Sequence, residues 1–119
     1  MNPQEMQDRT RRFALRMIHL SDALPHKRST DALAKQIVRC GTSVGANYRS
    51  ACHARSQADF VAKMGVVEEE IDESIYWMEL ISDAKMIPTA KLDALLKEAH
   101  ELLAITIASI KTARGKKRN

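Results

Sequence analysis

The chain is short of nearly everything that builds a β fold, a membrane anchor or a cross-linked scaffold. Four glycines and three prolines in 119 residues leave little turn chemistry for a many-stranded sheet. Aromatic residues are only 4% of the total. The longest uncharged stretch near the C-terminus, Leu102 to Ile110, falls far short of the roughly 20 residues a membrane span requires. Arg9, Arg11, Arg12 and Arg16 interrupt the N-terminal apolar residues, so no signal-peptide core is expected. The two cysteines, Cys40 and Cys52, would lie about 18 Å apart on one helix, beyond the roughly 7 Å reach of a disulfide. Two small buried thiols in a reducing compartment is the simpler reading, which places the protein in the cytoplasm.

What is present is helix-forming. Ala, Leu, Met, Lys, Glu and Arg dominate, apolar residues make up 45% and charged residues 29%. That composition favours helices in a globular chain, and the length suits one domain. Met6, Phe13, Met17, Leu20 and Leu24 recur at helical spacing and predict a first helix over 5–24. Leu24-Pro25 ends it, because a residue before proline avoids the α region. Ser29 or Thr30 offers the N-cap of a second helix over 30–55, with a stripe of Leu33, Ile37, Cys40, Val44, Tyr48 and Ala51. Ser56 with Asp59 resembles a capping box and opens a third helix over 57–85, carried by Phe60, Met64, Val67, Ile71, Ile75 and Met78. Ile87-Pro88-Thr89 separates it from a fourth over 89–113, striped by Leu92, Leu95, Leu96, Ala99, Leu102, Leu103, Thr106 and Ile110. Gly115 is placed as a C-terminal cap, and 115–119 as a flexible basic tail.

These four amphipathic segments and short connections predict an all-α fold. It is an antiparallel up-down-up-down four-helix bundle in a single domain over 1–114. The apolar face of the fourth helix spans roughly 140°. Two readings of that breadth stand open: a deeply buried helix, or a face shared with a second subunit.

The second helix contains one segment that is not generic, Cys40-Gly41-Thr42-Ser43-Val44-Gly45-Ala46-Asn47-Tyr48-Arg49. Two glycines inside a helix cost roughly 1 kcal/mol each relative to alanine. The apolar stripe keeps its phase across both, so the helix is read as continuous, with another backbone approaching the bare surface. Charge is sorted by segment. Residues 1–28 carry six basic and three acidic residues, and 29–55 carry four and one. Residues 56–85 carry two basic and eight acidic residues, and 86–119 carry seven and three. Arg9, Arg12 and Arg16 form one basic ridge, and Lys35, Arg39, Arg49 and His53 share a face of the second helix. A solvated face is the ordinary meaning of such runs; segregation of sign by helix makes an anionic partner the sharper one.

Catalytic constellations are missing. The Glu-x-x-His pairs of di-iron bundles do not occur, and consecutive Glu68-Glu69-Glu70 diverge by about 100° per residue. His19, His26, His53 and His100 have no neighbour at zinc-ligand spacing. Phosphate-loop and nucleophile-elbow motifs are absent, and nothing marks a base for Ser43. The expectation is a protein that is not an enzyme and has no metal or cofactor.

Arg39 through Arg49, then Ser56, Asp59-Phe60 and Lys63, then Glu70, Glu73-Ser74 and Tyr76-Trp77 together resemble the bacterial four helix bundle protein family. That family is associated with intervening sequences in 23S ribosomal RNA genes, and it is related to the accessory variability determinant of diversity-generating retroelements. The resemblance covers nearly the whole chain. It implies an antiparallel bundle, a homopentameric ring and no catalytic activity, and the retroelement relative is a basic ring that binds nucleic acid. Carried onto this chain, Gly41, Ser43, Gly45, Asn47 and Tyr48 are structural motif positions that pack and bond within or between bundles. The family often has Ser at Cys40, an acidic residue at Ser50 and Lys at Glu69. The last departure makes the third helix more acidic and disfavours nucleic-acid contact there.

The functional expectation is therefore non-specific binding of RNA or DNA phosphates by Arg9, Arg12, Arg16, Lys35, Arg39 and Arg49, with Lys116, Lys117 and Arg118 of the tail. The alternative is a protein–protein interaction scaffold that displays charged faces to a protein partner.

Overall fold

A computed structural model describes residues 1–116. Asn2 starts the first helix: its side-chain oxygen accepts the Glu5 backbone N–H at 2.8 Å, and Pro3 occupies the first turn, where it loses no hydrogen bond. Helix α1 therefore spans Pro3–Ala23, beginning ahead of the expected residue 5. Leu24 is extended before Pro25, as the proline demands. Helix α2 spans Arg28–Ala51, and the expected cap is corrected. Lys27 holds the N-cap position, and Thr30, inside the first turn, accepts the Lys27 N–H at 2.9 Å and donates to the Pro25 carbonyl. The hydroxyl thus bonds backward across the turn.

Helix α2 stops at Ala51, short of the expected residue 55. Ser56 must be extended to accept the Asp59 N–H at 3.0 Å and cap α3 (Gln57–Asp83). The chain makes room by tightening through His53 and Ala54, whose N–H groups reach Ser50 and Ala51 at 3.0 Å. The end of α3 falls before Lys85, not on it. Lys85 sits in the left-handed region with φ 54°; its N–H bonds Ser82 at 3.0 Å and that of Met86 bonds Ile81 at 3.1 Å. This is the Schellman pattern, in which glycine is the usual residue. Helix α4 spans Ala90–Gly115. Gly115 is its last helical residue rather than its cap. The chain leaves through extended Lys116, so no left-handed glycine is needed. Lys117 and Arg118 of the expected tail lie outside the described residues.

No strand occurs among the described residues, and none of the helices is long and apolar enough to cross a membrane. The four helices pack α1 on α2, α2 on α3 and α3 on α4 into an all-α bundle with extents of 55 × 21 × 20 Å. The expected stripes supply the core. Phe13, Met17, Ile37, Val44, Met64, Ile71, Met78 and Leu102 are fully enclosed, while Leu33, Phe60, Leu96 and Leu103 pack against the core from its margin. Each such burial contributes roughly 1.5–3 kcal/mol. The buried hydroxyls of Thr10 and Thr106 donate to their own helices, at 2.9 Å to Met6 and 2.8 Å to Leu102. Every enclosed side-chain nitrogen and oxygen among the described residues has a partner.

Candidate nucleic-acid interface

The glycines of α2 explain how α1 approaches. A methyl group on Gly41 would stand 2.6 Å from Met17 Cγ, and one on Gly45 would stand 3.2 Å from Thr10 Oγ1 and 3.4 Å from the Thr10 carbonyl. The helix is continuous through both. The close neighbour is thus α1 of the same chain. At Gly41 it is a methionine side chain rather than the expected backbone. The polar motif residues turn inward to their own helix. Ser43 Oγ donates to the Arg39 carbonyl at 2.7 Å and Asn47 Nδ2 to the Ser43 carbonyl at 2.8 Å. Tyr48 is buried, and burial, with the Cys52 thiol beside it, pushes its phenol well above the ordinary value. Of the two thiols expected to be buried, only Cys40 is: it receives the Ser74 hydroxyl at 3.2 Å, and burial raises its pKa and keeps it protonated. Cys52, just past the end of α2, is exposed.

The basic residues divide into two groups. Arg9 leans across to α4, where it bonds Glu98 at 2.6 and 2.8 Å and lies 3.4 Å from Glu101. The Glu98 hydrogen bonds raise the already high pKa of its guanidinium. Arg39 reaches α3, where it pairs with Glu73 and lies 3.4 Å from Glu70. Trp77 Nε1 donates to the same Glu73 carboxylate at 3.2 Å. Burial pushes the Glu70 carboxyl upward and Arg39 partly offsets that. These two arginines tie helices together, so their charge is already answered within the chain.

Arg12, Arg16, Lys35 and Arg49 belong to the second group. All four are exposed, and none has an ion-pair partner among the described residues. Arg11 joins them, although its sequence spacing did not mark it. It lies outside the Arg9, Arg12, Arg16 ridge, and only the seating of α1 against α2 puts it on the same groove as Arg49. The two arginines line one open groove of about 440 Å³ between α1 and α2, with Gln7, Asp8, Thr42 and Gly45 also on its walls. Lys116 is exposed at the far end of α4. The acidic residues of α3 occupy a separate surface, on which Glu69, Asp72, Glu79 and Asp83 are exposed. No cluster of three His, Cys, Asp or Glu side chains is placed to hold a metal among the described residues.

The chain is similar to a solved protein of unknown function from the S23 ribosomal protein family of Bacteroides thetaiotaomicron. The two are 32% identical with a TM-score of 0.86, over 93% of this chain and 99% of that one. No curated protein matches at the sequence level. Residues 3–108 match the family described as 23S rRNA-intervening sequence protein. With four helices in this arrangement and that span of match, the chain belongs to the 23S rRNA-intervening sequence protein family.

Proposed function

We propose that this protein is a non-enzymatic, cytoplasmic nucleic-acid-binding protein that assembles as a ring of identical bundles. It holds RNA or DNA by its phosphates without reading sequence. The observation that carries the reading is the unpaired basic surface of α1 and α2. Arg11, Arg12, Arg16, Lys35 and Arg49 stay exposed while Arg9 and Arg39 are consumed by carboxylates. Phosphate contacts by such side chains give affinity that is independent of sequence and falls with salt. Tyr48 is buried and Trp77 is bonded to Glu73, so among the described residues the basic surface carries no aromatic platform for stacking bases.

Within each bundle the helices run alternately up and down. The contacts that support this course run in opposite order along neighbouring helices. Thr10 meets Gly45 while the later Met17 meets the earlier Gly41, and Gln57 at the start of α3 bonds Ala113 near the end of α4. Assembly is supported by apolar side chains left at the outer edge of α3 and α4. Tyr76, Leu80 and Leu96 line a shallow groove there, and Ile107 is exposed. Five subunits is the number that the family resemblance implies for such a ring. Several basic patches acting on one polyanion gain avidity without new contacts, so a net charge of +4 per chain suffices.

The test is purification at low salt followed by a high-salt wash. Nucleic acid that leaves only in the wash, and retention on heparin at about 50 mM salt, support the reading. A clean protein spectrum with no retention contradicts it and leaves the protein-scaffold reading, for which the exposed Val66 and Tyr76 on the acidic helix speak.

A further inference from the structure

The groove between α1 and α2 is more than a basic patch, because its walls differ in chemistry. Its volume of about 440 Å³ lies within the ~300–1,000 Å³ typical of small-ligand sites. Arg11 projects from α1 and Arg49 from α2, both exposed and without an ion-pair partner among the described residues. Two guanidinium groups on opposite walls suit one phosphate group. Gly45 leaves the floor low, and Gln7 and Thr42 add polar atoms. The Thr42 hydroxyl already donates to the Val38 carbonyl at 2.6 Å, which leaves its oxygen free to accept.

Asp8 is the residue that a phosphate site alone does not explain. Its carboxylate accepts from Gln4 Nε2 at 3.0 Å and lines the same groove. A carboxylate repels phosphate, so an anion seated between the arginines must present a hydrogen-bond donor on the Asp8 side. In a nucleic-acid strand the group that lies beside the phosphate and donates is the ribose 2′-hydroxyl, which DNA lacks. We infer that the α1–α2 groove holds one ribose-phosphate unit of an RNA strand, with Arg11 and Arg49 on the phosphate and Asp8 accepting from the 2′-hydroxyl. The inference rests on the nucleic-acid reading above and adds to it a preference for RNA over DNA. Among the described residues the groove has no aromatic or large apolar lining, which leaves the base unread, so the preference is for the sugar.

The experiment is fluorescence anisotropy of the full chain at about 50 mM salt with two probes. One is an oligouridine RNA, the other the matching oligodeoxyuridine, each about 12 nucleotides long. The wild type should bind the RNA about tenfold more tightly, the scale of one hydrogen bond to a charged group. Asp8→Ala should bring that ratio to about one. Arg11→Gln and Arg49→Gln should weaken both probes by a common factor and lower the salt slope by about one each, with circular dichroism unchanged. Equal affinity for the two probes in the wild type, or a ratio that Asp8→Ala leaves intact, overturns the groove assignment while leaving general phosphate binding in place. Failure of both probes to bind overturns the assignment together with the broader reading.

Discussion

Gly41 and Gly45 lie one helical turn apart on the same helix, yet the room above them differs. At Gly41 an added methyl would overlap Met17 Cβ and Cγ at 2.7 and 2.6 Å, whereas at Gly45 it would meet Thr10 Oγ1 at 3.2 Å. Gly41→Ala should therefore destabilise by about 1–3 kcal/mol through overpacking. Gly45→Ala exchanges a slight squeeze on Thr10 for about 1 kcal/mol of helix propensity and should remain close to wild type. Chemical denaturation of the two variants side by side checks the order. Asp59 supplies a pH effect. The Arg55 N–H, then Lys63 at 3.2 Å, lower its carboxyl pKa from the ordinary value. The folded state therefore holds this proton less tightly than the unfolded chain. The stabilisation is complete above the ordinary carboxylate range and is lost as pH falls through the lowered folded value. Asp59→Asn should flatten the acid limb of the stability profile, read as thermal midpoint between about pH 5 and pH 2.

At the scale of the element, most of the structure was legible because helices advertise their buried face and, at Ser56, a start, whereas the Lys27 cap of α2 was not legible. The stripe from Met6 to Leu24 and the cap at Ser56 are local features, set by residues a turn apart. Helix ends were less legible where the stop depends on conformation rather than residue type. Lys85 adopts a left-handed conformation that its side chain does not signal. Lys85→Gly should relieve that position and stabilise by about 0.5–1 kcal/mol, visible as a higher thermal midpoint with unchanged helicity. The candidate site was legible only by face. A helical wheel locates Arg9 and Arg39 on their own helices but carries nothing about Glu98, Glu70 or Glu73, which arrive from other elements. Arg11 was missed for the same reason, since its partner across the groove, Arg49, is on another helix.

At the scale of the whole molecule, the charge pattern and the outer apolar edge belong to one account. The proposed ring would use the edge of α3 and α4 with Tyr76, Leu80 and Leu96, and the proposed binding would use the basic surface of α1 and α2. Light scattering at micromolar concentration should give a mass several times 13.4 kDa; a monomer throughout that range contradicts the ring. The most direct measurement compares two charge reversals of equal size on different faces. Arg12→Glu with Arg16→Glu alters the proposed binding surface, and Lys97→Glu with Lys111→Glu alters exposed positions on α4. Titration of a labelled RNA across a salt series should show the α1 pair losing most of its affinity and salt slope, with the α4 pair close to wild type. Equal losses in both pairs, or no loss in the α1 pair, would contradict a binding surface on α1 and α2.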